Sequence, residues 1–250
     1  MTGRLGTLVA QDVSKSFGDL LVLDGVDLVA GSGEVLAVLG PSGCGKSTLL
    51  RVLAGFETYE GQVEVDGEPV TAPSPRRGMV AQAGGLFPWL SLRTNLGFGP
   101  VAQGRSADEV RDVVDDLLRA TGLTDFADAL PKQLSGGMQQ RASIAQVLAN
   151  RPPVLLLDEP FGALDAQTRL RMHEWLAQLL SERPTTTVLV THDVEEALLL
   201  GDRLALLSNR PARVVEELDI PFARDRGRAV LGDPEFVRLK TRVLDSVLSA

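Results

Sequence analysis

The segment GPSGCGKST, residues 40–48, has the composition and the neighbours of a phosphate-binding loop. It fits the pattern G-x-x-x-x-G-K-[ST], follows an apolar run that predicts a buried strand, and opens a run that predicts a helix. Backbone N–H groups in this pattern bind phosphate oxygens, so Lys46 should contact the β- and γ-phosphates of a nucleotide and Ser47 should ligate Mg²⁺. The predicted nucleotide-binding residues are Gly40, Pro41, Ser42, Gly43, Cys44, Gly45, Lys46, Ser47 and Thr48.

Two acidic residues follow a second apolar run, VLLLDEP at residues 154–160. The run predicts a buried strand, and ligands of open α/β sheets collect beyond the carboxyl ends of such strands. Asp158 therefore fits the Mg²⁺ site, and Glu159 can face an attacking water as a general base. His192 follows a third apolar run, TTVLVT, which places it at the same edge near the γ-phosphate. Together these residues predict a hydrolytic centre beside Lys46.

A second anion-binding turn lies in LSGGMQQR, residues 134–141. Ser135, Gly136 and Gly137 open a predicted helix, and the N-terminus of a helix attracts phosphate. A single nucleotide needs only one cradle, so the second turn requires a separate explanation.

Strands and helices alternate on either side of a helical stretch. Apolar runs at 34–39, 154–159, 186–191 and 203–208 predict strands, and helices at about 165–181 and 193–200 predict a parallel sheet covered on both faces. We therefore predict one domain over residues 1–250, with an α/β core at about 1–87 and 154–220. A helical subdomain at about 88–153 interrupts it, and an extension at 221–250 contains an amphipathic helix.

The composition argues against several other kinds of site. A formal net charge of −8 makes the chain a poor candidate for nucleic-acid binding, which needs clustered Lys and Arg. Cys44 is the only cysteine, which excludes an internal disulfide and a multi-cysteine metal site. No stretch approaches the roughly 20 apolar residues that cross a bilayer. We therefore expect a cytoplasmic protein that acts at a membrane, if at all, from outside the lipid.

The ordered set of motifs resembles the ATP-binding subunit of ABC transporters over nearly the whole chain. The set comprises GPSGCGKST, Gln82, LSGGMQQR, VLLLDEP, GALD at 162–165 and His192. The resemblance implies a RecA-like P-loop NTPase core with a small antiparallel β part and an inserted α-helical subdomain, and it implies ATP and Mg²⁺ as cofactors. It also implies that Phe17 stacks on adenine and that Gln82 senses Mg²⁺ and the attacking water. The competing interpretations are a core phenylalanine and a surface glutamine.

The resemblance also explains the second turn. It implies a homodimer in which each ATP lies between the phosphate loop of one chain and the Ser135 turn of the other, with Asp165 at the same seam. ATP then holds the dimer closed, and its hydrolysis opens the dimer. Met138 stands where the family usually has glutamine, and we expect activity to persist because the backbone donors remain.

Within the family, an importer motor is the first hypothesis. It requires separate integral-membrane permease subunits and an extracytoplasmic solute-binding protein, and it places this chain at the cytoplasmic face of the membrane. Phe87, Pro88 and Trp89 would line a groove for a permease helix, although Trp89 could instead pack the lobe. The segment LFPWLSL and the C-terminal part are similar to the nitrate, taurine and aliphatic-sulfonate import group, which suggests a small anionic solute. The alternatives are a soluble ABC-type ATPase, an exporter ATPase and a nucleotide-gated adaptor without catalysis.

Overall fold

In the computed structural model, which describes residues 6–82, 85–223 and 227–249, ten strands and seven α-helices follow one another along the chain. The strands are β1 (Leu8–Phe17), β2 (Leu20–Ala30), β3 (Val35–Leu39), β4 (Glu60–Val65), β5 (Glu68–Pro69), β6 (Arg77–Val80), β7 (Val154–Asp158), β8 (Thr186–Thr191), β9 (Arg203–Leu207) and β10 (Val214–Asp219). The α-helices are α1 (Lys46–Ala54), α2 (Leu92–Ala102), α3 (Ala107–Ala120), α4 (Gly136–Leu148), α5 (Ala166–Glu182), α6 (Val194–Leu200) and α7 (Pro234–Ser249). Short 3-10 helices lie at Thr124–Phe126, Pro131–Gln133 and Arg228–Gly232.

The central sheet has six strands in the order β10–β9–β3–β8–β7–β6. The strands from β9 to β6 run parallel, and β10 pairs antiparallel at one edge. Strands β3, β7 and β8 are buried along their whole length, because α1 covers one face of the sheet and α5 and α6 cover the other. The predicted α/β fold is confirmed, and the carboxyl ends of β3, β6, β7 and β8 meet at one edge.

A second, antiparallel sheet has the order β2–β1–β4–β5 and packs on the α1 side of the central sheet. Its β4–β5 hairpin turns at Asp66 and Gly67, whose φ values of 55° and 76° suit a two-residue type I′ turn. Phe17 ends β1 and Val22 lies in β2, so this sheet forms one wall beside the phosphate loop.

Between β6 and β7 the chain forms the helices α2, α3 and α4, which share an apolar cluster of their own. Leu96 of α2, Val114 of α3 and Ala142 of α4 are buried in it. Helix α3 begins after Ser106, which forms a capping box with Glu109. This part of the chain matches the predicted helical subdomain in type, although its outer boundaries at residues 88 and 153 stay a prediction.

Three elements are not predicted by the sequence patterns. Strand β6 has only four residues and includes a glycine, β10 alternates half-buried and exposed residues, and α2 contains Pro100.

Helix α7 packs on α6, with Phe236 and Val243 buried in the shared cluster. Over the described residues, no helix combines the length and the apolar character needed to cross a membrane.

Candidate functional site

The phosphate loop connects β3 to α1 and depends on two glycines. Gly43 and Gly45 have φ values of 77° and 130°, a region that residues with side chains rarely adopt. A Cβ atom at Gly45 would also lie 3.0 Å from Val22 Cγ1. Helix α1 then begins at Lys46 without a side-chain cap, so its first N–H groups are available to an anion.

Lys46 links the loop to the acid that follows β7. Its buried ammonium donates to the carbonyl oxygens of Gly40 and Pro41, each at 2.9 Å. The same Nζ lies 3.6 Å from Glu159 Oε1. Lys46 and Glu159 both line one open cavity of about 600 Å³, so the cation and the acid face the same space.

Ser47 and Asp158 meet at the predicted magnesium site. Ser47 Oγ donates to Asp158 Oδ1 at 3.0 Å, and burial raises the pKa of the Asp158 carboxyl. A hydroxyl and a single carboxylate fit Mg²⁺, which proteins hold through one or two carboxylates together with substrate phosphates. Across the described residues, no group of three or more His, Cys, Asp or Glu side chains could hold a metal ion.

Glu159 is the point at which three loops converge. Its Oε2 accepts a hydrogen bond from Gln82 Nε2 at 3.2 Å and lies 3.1 Å from His192 Nδ1. Gln82 follows β6, Glu159 follows β7 and His192 follows β8, which are neighbouring strands. Glu159 also has a φ of 42°, a left-handed conformation that costs a residue with a side chain about 1–3 kcal/mol.

A buried hydrogen-bond network fixes the loop that carries His192. Thr191 Oγ1 donates to the Glu196 carboxylate and accepts from the Asp193 N–H at 3.0 Å. Glu196 Oε1 lies 3.8 Å from His173 Nε2 of α5. Burial raises the pKa of Glu196 to about 7 and lowers that of His173 to about 4. Thr191 therefore fixes the turn after β8 by hydrogen bonds, whereas Glu196 and His173 lie side by side without a hydrogen bond between them.

We expect Glu196→Gln to remove a pH-dependent loss of stability. The pKa of Glu196 is about 7 in the folded protein and 4.5 in the unfolded chain. The resulting contribution to stability is fully present below pH 4.5 and is lost as the pH rises through 7. The unfolding free energy of the variant minus that of the wild type should therefore increase by about 2–3 kcal/mol when the pH is raised from 5 to 8.5. Urea unfolding at both pH values measures the difference. The exposed-site variant Glu182→Gln should show no such gain, and an equal gain there would contradict the assignment to Glu196.

Phe17 lines the phosphate cavity from the wall opposite the central sheet. Its side chain is 46% exposed, so the interpretation as a core phenylalanine is wrong. Leu20 and Val22 of β2 continue the same apolar wall. Lys15 Nζ lies 4.7 Å from the centre of the Phe17 ring, which adds a cation–π contact to the aromatic side of the cavity. An apolar, aromatic wall beside a phosphate loop suits a nucleotide base.

The Ser135 turn is a separate site within one chain. Ser135 caps α4 by accepting from the Met138 N–H at 3.4 Å, and Gly136 is exposed. A Cβ at Gly136 would meet only Leu164 Cδ2, at 3.5 Å, whereas one at Gly137 would lie 3.0 Å from Thr168 Cγ2. Among the described residues, those that line the cavity at Lys46 include no member of this turn. The turn therefore presents its N–H groups to a different surface.

The family model of ABC transporters matches residues 23–162. The chain belongs to the ABC transporter family. Its cassette is similar to the taurine import ATP-binding protein TauB of Jannaschia sp., with 44% identity over 99% of this chain and 94% of that protein. It is also 44% identical to the nitrate import ATP-binding protein NrtD of Synechococcus elongatus, over 98% of this chain and 92% of that protein. The aliphatic sulfonates import ATP-binding protein SsuB 2 of Burkholderia lata shares 43% identity over 93% of this chain and 83% of that protein.

Solved structures of the bacterial ABC transporter cassette MJ0796 match this fold. A dimeric structure superposes with a TM-score of 0.74 at 32% identity, covering 86% of this chain and all of that chain. A second structure of the same cassette, also dimeric, represents a post-hydrolysis state with bound ADP and Pi. The present cassette is accordingly an ATP-binding and ATP-hydrolysing protein.

The predicted site residues divide into four groups in the cassette. Asp158 and His192 are not among the residues that line the cavity, but they contact two that are, Ser47 and Glu159. The residues that line the cavity are Phe17, Ser42, Gly43, Gly45, Lys46, Ser47, Thr48, Gln82 and Glu159. Gly40 and Pro41 supply carbonyls to Lys46, and Cys44 is buried within the loop, where burial raises its pKa. Ser135, Gly136, Gly137 and Asp165 lie elsewhere, and Asp165 caps α5 by accepting from the Thr168 N–H at 3.0 Å.

Sequence reasoning missed one charged residue of the cavity. Arg210, in the loop between β9 and β10, lines the same space as Phe17 and Lys46. No motif marks this position, because the loop approaches the phosphate loop only through the fold.

We expect Phe17→Ala to weaken ATP and ADP binding about tenfold, because stacking between a base and an aromatic ring is worth about 1–3 kcal/mol. Phe17→Tyr should bind within about twofold of the wild type, since the ring is retained. Titration of a fluorescent ADP measures both. Phe56→Ala is the matched control, because Phe56 is an exposed phenylalanine that does not line the cavity. Unchanged affinity in the Phe17→Ala variant would exclude the stacking role.

Proposed function

We propose that this cassette is the ATP-hydrolysing subunit of an ABC importer and drives solute uptake through separate permease subunits. The main support for ATP hydrolysis is that Lys46, Gln82 and His192 all lie close to the Glu159 carboxylate, the proposed general base. The relatives named for import support the direction of transport. They do not favour a soluble ATPase or an exporter, and the complete set of catalytic residues argues against an adaptor without hydrolysis.

In the proposed reaction Glu159 accepts a proton from the water that attacks the γ-phosphate. Gln82 and His192 both contact Glu159 Oε2, so they fix the orientation of the carboxylate toward the cavity. Lys46, which is held between the loop carbonyls and Glu159, is positioned to balance charge on the phosphates.

The chemistry of the donors fits Mg²⁺ as the cofactor. Ser47 and Asp158 would hold the ion, and the amide oxygen of Gln82 is a third candidate ligand. When bound, Mg²⁺ neutralises phosphate charge and orients the nucleotide.

The second turn supports a head-to-tail homodimer of the cassette. Ser135 and Gly136 are exposed at the start of α4, where N–H groups and the helix dipole attract an anion. They lie next to the segment that carries Asp165, because the site of a Gly136 Cβ is 3.5 Å from Leu164 Cδ2. A two-fold dimer would bring this surface of one chain to the ATP bound by the other, and would do so twice. The similar cassette MJ0796 is dimeric in its solved structure, which supports a dimer for this chain.

An exposed aromatic cluster supports docking to a permease. Trp89 is 72% exposed, which argues against the interpretation that it packs the lobe. The Phe87 ring centre lies 5.9 Å from that of Trp89 and 4.5 Å from that of Phe98, with Pro88 between the first two in the chain. This cluster suits the apolar side of a short permease helix at the cytoplasmic face of the membrane. The proposed transport system also has a solute-binding protein outside the membrane, and its solute is a small anion such as taurine, a sulfonate or nitrate.

Affinity purification of the tagged cassette from detergent-solubilised membranes tests the importer assignment. We expect a multi-span permease to co-purify, and Trp89→Ala to reduce its recovery strongly. Phe126→Ala, which changes another exposed aromatic of the helical subdomain, should leave recovery unchanged. Recovery of an active ATPase with no integral-membrane partner would favour a soluble ATPase instead. Uptake of labelled taurine or nitrate by vesicles that contain the complex then identifies the solute.

A further inference from the structure

The loop between β9 and β10, residues 208–213, is tied to the wall of the nucleotide cavity. Its Ala212 accepts from the Asp24 N–H at 3.0 Å and donates to the Val22 carbonyl at 2.9 Å. Arg213 pairs with the Asp24 carboxylate, and its N–H bonds to Ser208 Oγ at 3.0 Å. These bonds fix the loop to β2, the strand whose Val22 lines the cavity.

Arg210 extends from this fixed loop to the phosphate loop. Its guanidinium donates to the Gly43 carbonyl, and Nη2 would lie 3.7 Å from a Cβ at Gly43. The same side chain lines the cavity together with Phe17 on the base side and Lys46 on the phosphate side. Among the ion pairs found in residues 6–82, 85–223 and 227–249, none involves Arg210. Its charge is therefore directed to the cavity rather than neutralised by a described carboxylate.

We propose that Arg210 is a second cationic ligand of the nucleotide, and that its guanidinium binds the phosphate chain beside Gly43. A guanidinium has five N–H donors in a rigid fork, so the bond to Gly43 leaves others for phosphate oxygens. Lys46 serves the terminal phosphates from inside the loop, and Arg210 approaches from the β2 wall between base and loop. The contact therefore falls on the phosphates that ADP and ATP share. The inference deepens the ATP site and does not depend on which solute or permease the cassette serves.

The alternative is that Arg210 only stabilises the phosphate loop through its hydrogen bond to the Gly43 carbonyl. That role needs only an N–H donor, whereas a phosphate ligand needs a positive charge. Arg210→Gln retains side-chain N–H donors and removes the charge, and Arg210→Lys retains the charge and loses the fork. Arg213→Gln is the matched control, because it removes a charge from the same loop that pairs with Asp24 and does not line the cavity.

Titration of the purified cassette with a fluorescent ADP, with ATP as competitor, tests the proposal without the permease. We expect Arg210→Gln and Arg210→Ala to lower affinity for both nucleotides about tenfold, which is the scale of one charged hydrogen bond. Arg210→Lys should lose less, and Arg213→Gln should bind like the wild type. The affinity of the Arg210→Gln variant should also fall less steeply with added salt, because one attractive charge is gone.

Two results would overturn the proposal. Wild-type affinity in Arg210→Gln would show that the charge does not contact the nucleotide. An equal loss in Arg213→Gln would show that the loop fold, and not the Arg210 charge, controls binding. Thermal unfolding of each variant without nucleotide separates these results from misfolding, because all variants should melt within a few degrees of the wild type. Failure here leaves the importer assignment standing, since co-purification with a permease does not depend on Arg210.

Discussion

Glu159→Gln should lower ATP hydrolysis by about 10²- to 10⁴-fold, the usual contribution of a general base, while ATP still holds two chains together. The amide of glutamine has the shape of the carboxyl group and keeps an oxygen that can accept from Gln82 Nε2 beside His192. It cannot accept a proton from water at neutral pH. Binding and dimer closure should therefore survive, and the step that reopens the dimer should be lost.

Phosphate release and size-exclusion chromatography measure the two halves of this result. With ATP and Mg²⁺ the Glu159→Gln variant should elute as a dimer for as long as ATP is present, whereas the wild type returns to its nucleotide-free distribution as ATP is consumed. Glu182→Gln, which changes an exposed glutamate at the end of α5, should hydrolyse ATP like the wild type. A monomeric Glu159→Gln variant in the presence of ATP would contradict the role of ATP in holding the dimer.

The arrangement of the hydrolytic residues could be predicted because each one follows a buried strand. Asp158, Glu159 and His192 come directly after apolar runs, and parallel strands bring such positions to one edge. The φ of 42° at Glu159 could not be predicted, because nothing in the local sequence distinguishes this glutamate from others. The position of Gln82 is predicted only by the resemblance to ABC transporters, since β6 before it is short and contains a glycine.

The missed features depend on contacts between segments that are distant in sequence. Arg210 reaches Gly43 because residues 208–213 are fixed to β2. Glu196 and His173 lie together because α6 packs on α5, and their pKa shifts follow from burial that no local pattern reveals. The sequence therefore predicts residues that act through motifs, and it does not predict residues that act through packing.

Gly136→Asp should lower hydrolysis about a hundredfold or more, because like charges across an interface cost several kcal/mol. Within one chain the change should be tolerated: Gly136 is exposed, its Cβ would make only an ordinary contact with Leu164, and an acid at the N-terminus of a helix is favourable. Affinity for ADP should therefore be unchanged in the same variant. Ala107→Asp adds the same charge at the first position of α3 and should hydrolyse ATP normally.

Mixing two inactive variants tests the head-to-tail arrangement directly. In a heterodimer of Gly136→Asp with Lys46→Ala, one composite site combines the intact phosphate loop of the first chain with the intact Ser135 turn of the second, and the other site contains both changes. Random pairing at equal amounts makes half the dimers mixed, so hydrolysis should recover to as much as about a quarter of the wild-type rate. If each turn served the nucleotide of its own chain, every site in the mixture would contain a defect. An inactive mixture that still forms dimers would therefore reject the shared nucleotide.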